Sequence, residues 1–174
     1  DFDAAAGFDE WLSGEEHTPE TEEYGINSFA YRQRRPFHPE RLYQAITQDD
    51  MLAGVVRSKG ICWLATRYDM AGMWSQAGQL VSMEPAGTWW ADALEDEVPE
   101  EMRADIASMM QGEHGDRRQE LVFIGIDMKE MHLRNQLDAC LLTPEEMKLS
   151  AATWATYKDP FPDWDTMFEE EPEA

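Results

Sequence analysis

Cysteine and positive charge are both scarce in this chain of 174 residues. The two cysteines, Cys62 and Cys140, are far apart and sit among apolar neighbours. No disulfide framework is expected, and a reducing cytoplasm is the expected setting. Fourteen Lys and Arg face 36 Asp and Glu, a formal charge of -22. Polyanionic nucleic acid and anionic lipid are poor partners for such a surface. No apolar run approaches the roughly 20 residues of a membrane span, and mean hydropathy is -0.60. No secretory signal pattern opens the chain, and its start at Asp1 reads as the edge of a longer polypeptide. Nucleophilic catalysis lacks its signatures: there is no Gly-x-Ser-x-Gly elbow, and neither cysteine has a histidine placed beside it.

What is present is enough apolar material, 43% of residues, for the core of one ordinary domain. The stretch Gly115 to Met128, GDRRQELVFIGIDM, organises the reading. It opens with Asp116, Arg117 and Arg118, then runs through Leu121-Val122-Phe123-Ile124 without alternating polar positions. That pattern predicts an interior strand covered on both faces. Asp127, with Glu130 three residues on, predicts a capping box that starts a helix.

Before it, Tyr24 to Arg35 reads as an edge-like strand with Phe29 and Tyr31 on one face. Pro39 opens a helix with the stripe Leu42, Ala45 and Ile46. Val55 to Thr66 is a second strand. Met73 to Met83 reads as a third, with Gly78 inside it as a bulge or a close backbone approach. Pro99 begins a helix carrying Met102, Ile106 and Met109 or Met110 inward, ended by Gly112. After the organising strand, a helix from Met128 buries Leu133, Leu137 and Leu141. Thr143 to Glu146 is a second capping box, and the aromatics of the segment Asp159 to Trp164 are expected to dock on the domain. The order β-α-β-β-α-β-α predicts an α+β fold: a ferredoxin-like split β-α-β arrangement, a four-stranded antiparallel sheet with helices packed on it. Its second face needs a cover, from the closing helices, the tryptophans or another domain.

Several blocks carry a resemblance. Arg35-Pro36-Phe37-His38-Pro39-Glu40-Arg41-Leu42 comes first, then Arg57-Ser58-Lys59-Gly60 with Trp63, then Trp74-Ser75-Gln76-Ala77-Gly78. Pro85, Gly87, Trp89 and Trp90 follow, then Gly115 to Gly125, Leu137 to Thr143, and Asp159-Pro160-Phe161-Pro162. In this order they resemble the C-terminal domain of CobW-type GTPase metallochaperones, the cobalamin synthesis family. The resemblance implies three parts. Residues 1–23 are the tail of a GTPase domain plus an acidic linker, 24–164 are the α+β domain, and 165–174 are an acidic tail. It also implies that zinc or cobalt, and GTP with magnesium, belong to the full-length family protein, and that no cofactor belongs to this part. The family's phosphate loop, Gly-x-x-x-x-Gly-Lys-Ser/Thr, is absent here, as is its Cys-x-Cys-Cys cluster; of its histidine-rich linker only His17 is kept.

Two functional readings follow. The first is a non-catalytic interaction domain of a metallochaperone, docking on its own N-terminal GTPase domain or on a metal-receiving client protein. Its expected surface is Arg57, Lys59, Trp63, Trp74, Gln76, Arg117, Arg118 and Glu120, because exposed indoles beside arginine suit an interface core. The second is an autonomous acidic module that holds a divalent cation at Glu113, His114 and Asp116, although zinc asks for about four ligands.

Overall fold

The computed structural model describes residues 25–48 and 50–164. The segment expected as the tail of a GTPase domain, the linker after it and the acidic tail lie outside the described residues. The organising stretch forms β5 (Gln119–Ile126), an interior strand. It lies between β1 (Ile26–Gln33) and β2 (Val55–Cys62), while β3 (Met70–Ala77) and β4 (Leu80–Thr88) extend the sheet. The order is β1-β5-β2-β3-β4, antiparallel at every pairing. Helix α1 (Pro39–Thr47) links β1 to β2, which therefore run parallel with β5 slotted between them. This is one split β-α-β unit.

The expected four-stranded ferredoxin-like sheet is corrected to five strands. Met73 to Met83 is not one strand. Its chain reverses at Gly78-Gln79, where Gly78 has φ of 59° and Ala77 pairs with Leu80. A positive φ costs glycine nothing and suits a two-residue hairpin. The added strand takes the edge, and the ferredoxin-like order does not form.

Both long helices cover the same face. Helix α1 buries Pro39, Leu42 and Ala45; α3 (Glu130–Cys140) buries Leu133, Leu137 and Cys140. They meet Phe29, Tyr31, Trp74, Met83, Leu121 and Phe123 in one core. Burial of each such side chain contributes about 1.5–3 kcal/mol. Phe29 and Phe123 face each other across β1 and β5 with ring centroids 5.2 Å apart. The closing segment docks here too: Trp164 is buried and its indole donates to the Met83 carbonyl at 3.0 Å.

The first expected capping box does not form. Asp127 has φ of 51° and the helix begins two residues after Met128, with no side-chain cap at Lys129. The second does: Thr143 N–H donates to Glu146 at 2.8 Å and Glu146 N–H donates to Thr143 Oγ1 at 3.2 Å. The Pro99 helix also forms, as a 3-10 turn running into α2 (Arg103–Met109), with Ile106 inward.

A smaller aromatic cluster closes one end of the sheet. Trp63, Ala65, Ala71, Trp89, Leu142 and Trp154, the last in α4 (Ala151–Trp154), are buried together with His114 and Tyr68 alongside. The two cores join where the chain leaves β1 and β2. Phe37 N–H donates to the Trp63 carbonyl at 2.9 Å and His38 N–H to the Cys140 carbonyl at 2.8 Å. Gln119, fully buried at the start of β5, accepts from Trp63 N–H at 3.0 Å. Its amide donates to the carbonyls of Trp63 at 2.8 Å and Arg35 at 3.1 Å.

Substituting Gln119→Leu keeps the volume and strands the Trp63 N–H and Arg35 carbonyl without partners. Urea unfolding should show a loss of about 2–4 kcal/mol. A loss under 0.5 kcal/mol would mean the junction does not depend on this amide.

Candidate functional site

The helices cover one face of the sheet, so the register defines the other. Side chains alternate along each strand. Opposite the core lie transverse rows running across the strands from β1 to β4. One row is Arg32, Glu120, Ile61, Met73 and Glu84. The next is Ala30, Val122, Lys59, Ser75 and Ser82. The third is Ser28, Ile124, Arg57, Ala77 and Leu80. Ile26 and Ile126 pair at the margin, 38% and 52% exposed. The aromatic cluster reaches this face at Ile61 and Ala71. Along the remaining rows Lys59, Val122, Ile124, Met73 and Ser75 are half-buried, and Arg57, Ala77, Leu80, Ser82 and Glu84 are exposed.

The expectation that β5 is covered on both faces is therefore corrected. Gln119, Leu121, Phe123 and Gly125 are buried, whereas Glu120, Val122 and Ile124 are half-buried and Ile126 is exposed. The apolar second face is present, and it is open among the described residues.

The expected interface residues divide into two sets. Arg57, Lys59 and Glu120 share the open face, with Arg118 at its rim. Arg57 is exposed and Lys59 half-buried, and neither has an ion-pair partner among the described residues. The expected exposure of Trp63, Trp74, Gln76 and Arg117 is corrected: all four are buried. Trp63 packs edge-on against Trp154 in the aromatic cluster. Trp74 lies over the core, where its indole donates to Ser58 Oγ at 2.7 Å. Ser58 in turn donates to Gln76 Oε1 at 2.9 Å, and Gln76 Nε2 donates to the Gly78 carbonyl at 2.6 Å. Each polar atom drawn under the hairpin thus finds a partner, as burial demands. Arg117 pairs with Asp92, donates to the Tyr68 carbonyl at 2.8 Å and stacks on the Tyr68 ring at 3.8 Å.

Glu120 gathers the charges at the rim. Its carboxylate accepts from Arg118 at 2.7 Å and Arg32 at 3.3 Å. Burial alone would raise the carboxyl, but the hydrogen bonds and charges of Arg118, then Arg32, hold it below the usual glutamate range.

The cation-holding loop is not assembled. Among the described residues no three His, Cys, Asp or Glu side chains come close enough to hold a metal ion. Asp116 is buried and spends its carboxylate on the N–H groups of Trp90 at 3.1 Å and Ala91 at 2.9 Å. Glu113 is largely exposed, with its carboxylate 3.5 Å from His114 Nε2, while His114 Nδ1 lies 3.0 Å from the Tyr68 hydroxyl. Burial, with Arg117 nearby, lowers the His114 pKa against the opposing charge of Glu113. Burial also pushes the Cys62 thiol up to about 12, which keeps it protonated and a poor ligand.

Because the folded Glu120 carboxyl titrates below its unfolded value, its contribution is complete above about pH 5 and is lost as pH falls through the depressed folded value. Glu120→Gln should cost about 1–2 kcal/mol in urea unfolding at pH 7, with the gap to the parent shrinking below about pH 4. A gap that is constant down to the acid transition would contradict the ion-pair assignment.

Comparison with known proteins now has a geometry to attach to. The family model described as the cobalamin synthesis protein cobW C-terminal domain matches residues 26–141. The zinc-regulated GTPase metalloprotein activator 1 of Dictyostelium discoideum is 41% identical over 165 residues, covering 92% of this chain and 35% of that protein. A zinc chaperone of Mycobacterium tuberculosis is 37% identical over 134 residues, 75% of this chain and 33% of its own length. Among solved structures, the Zn(II)-bound YjiA GTPase of E. coli superposes with a TM-score of 0.50 at 14% identity. It covers 74% of this chain and 33% of that one, a likeness of fold alone. The chain spans about a third of the length of its curated relatives. The matched range runs from β1 through α3 and takes in the whole sheet, both long helices and the open face: this chain belongs to the CobW C-terminal domain family.

Proposed function

We propose that this domain is a non-catalytic interaction module of a zinc metallochaperone and that its open sheet face docks on the GTPase portion of that protein. The observation that carries the reading is the mixed character of the rows. Val122 and Ile124 lie directly beside Lys59 and Arg57, so apolar contact area and unpaired cations share one patch. Apolar area drives association, and flanking charges choose the partner and its orientation. Loss of an open half-apolar face to water is worth most if another folded domain covers it.

The names of the relatives support this choice of partner. They are named a zinc-regulated GTPase activator and a zinc chaperone, and the matched part is about a third of each. The family is a C-terminal domain, so the rest of those proteins precedes it. In this reading GTP hydrolysis and metal capture belong to that preceding part. This domain receives it and sets its position relative to a metal-receiving client protein. The chain's overall charge supports a protein partner over nucleic acid or a membrane surface, and no described helix is long and apolar enough to cross a bilayer.

The test uses the full 174-residue chain and the separately produced N-terminal portion of the Dictyostelium relative, titrated calorimetrically with GTP or GDP present. Binding is expected, and the double variant Arg57→Glu/Lys59→Glu should weaken it at least about tenfold. Glu97→Lys, on an exposed turn outside the strands, should leave it unchanged. Equal affinity for parent and double variant would reject the open face as the docking surface.

A further inference from the structure

The open face is not uniform along its strands. Its exposed apolar side chains gather at one end, where β1 starts, β5 finishes and the β3–β4 hairpin turns. Ile26 and Ile126 pair there, Ile124 lies one row in, and Leu80 closes that row at the hairpin, 81% exposed. Val56, at the bulge where β2 slips against β5, is 50% exposed and adjoins Arg57. Arg57 and Lys59 follow along β2, and the ion-paired carboxylate of Glu120 marks the other end. An apolar end next to two cations without ion-pair partners among the described residues suits an occupant that is both apolar and acidic.

This chain contains such a segment. Residues 2–12 read Phe-Asp-Ala-Ala-Ala-Gly-Phe-Asp-Glu-Trp-Leu. Phe2, Phe8, Trp11 and Leu12 supply apolar area, and Asp9 and Glu10 fall between the aromatics. Residues 1–24 hold nine acids and no Lys or Arg, so nothing in them opposes Arg57 and Lys59. The chain enters the sheet at Ile26, at the apolar end itself. The twelve residues from Ser13 to Tyr24 can span up to about 40 Å. Arg57 and Lys59 lie only two strands from β1, a distance of about 10 Å. Tethering at such range gives an effective concentration on the order of millimolar. Residues 165–174 are acidic too, but they leave from Trp164, which is packed in the core on the helix-covered face. A second copy would set its own Arg57 and Lys59 against these two.

We propose that residues 2–12 fold back over the apolar end of the open face, and that the GTPase portion must displace them in order to dock. Phe8 and Trp11 cover Ile26, Ile124 and Ile126, while Asp9 and Glu10 face Arg57 and Lys59. The contact is intramolecular and needs no partner; its regulatory consequence rests on the docking proposed above.

The test uses the full chain with isotope-labelled isoleucine methyl groups. Trp11→Ala should shift the methyl resonances of Ile26, Ile124 and Ile126, because the ring current of the indole is lost. Those of Ile46 and Ile106, in α1 and α2, should stay in place. The double variant Asp9→Lys/Glu10→Lys should move the same three methyls in the same direction. Both variants lie outside residues 25–164 and leave the sequence of the sheet intact. In the calorimetric titration with the N-terminal portion of the Dictyostelium relative, Trp11→Ala should bind about threefold more tightly than the parent. Unmoved methyls would overturn the cover and leave the docking reading standing. Moved methyls with equal affinities would overturn the displacement. If neither chain binds that portion, the docking reading fails and the displacement with it, while the methyl shifts still decide the cover.

Discussion

The structure hangs on one buried amide. The last strand to enter the sheet, β5, must insert between two strands already joined through α1, and the three chain segments leaving that end have backbone groups that no ladder satisfies. Gln119 meets both needs with one side chain, accepting from Trp63 and donating to Trp63 and Arg35. A planar amide offers one acceptor and two donors in a fixed geometry, and in a fully buried site each unmade bond would cost about 1–3 kcal/mol. The same knot ties the segment before α1 to the one after α3, through His38 to Cys140 and Leu142 to Pro36. With both helices anchored there, they lie side by side on one face, and the sheet's other face is left to a different cover.

Much of this was legible because the hydrophobic period is strong where packing is simple. Leu42, Ala45, Leu133 and Leu137 fall at helical spacing and do what that spacing implies. The interior position of β5 was readable from its unbroken apolar run; what that run could not tell is whether its second face is covered within this chain. The fifth strand was missed because Gly78-Gln79 is not one of the common Asn-Gly or Asp-Gly turn pairs, and apolar residues continue on both sides of it. Asp127 misled for a related reason: its residue type suits a cap, but its backbone is left-handed, which Asp tolerates at tight connections.

The candidate surface was half legible. Trp63 and Trp74 are expected at an interface because exposed indoles beside arginine suit an interface core, although indoles are as often core as contact. A signal for Trp74 was available: Ser58 and Gln76 are small or amide residues that could satisfy it across the hairpin, as they do. Arginine outnumbers lysine ten to four, and the structure shows a use for it. Arg117 stacks on Tyr68, Arg67 on Trp164 and Arg134 on Phe29, while Arg41 and Arg118 grip carboxylates. A planar guanidinium can stack and donate at once, which an ammonium cannot.

That internal use of arginine is what gives Arg57 and Lys59 their meaning. In a chain with 22 more acids than bases, most cations are consumed in holding the fold. Two adjacent rows nevertheless place cations at the middle of a sheet face, next to Val122 and Ile124 and without acidic partners among the described residues. For stability alone, Thr or Val would serve better at such positions, since β-branched neighbours pack across strands and carry no desolvation cost. Interleaved charge has another effect. It keeps a half-apolar face from sticking to arbitrary apolar surfaces, and it favours an acidic partner whose carboxylates can be desolvated together with these cations. Self-association through this face would instead bring like cations together under the repulsion of two strongly anionic bodies. The arrangement sacrifices some local packing for selectivity, as the proposed docking requires.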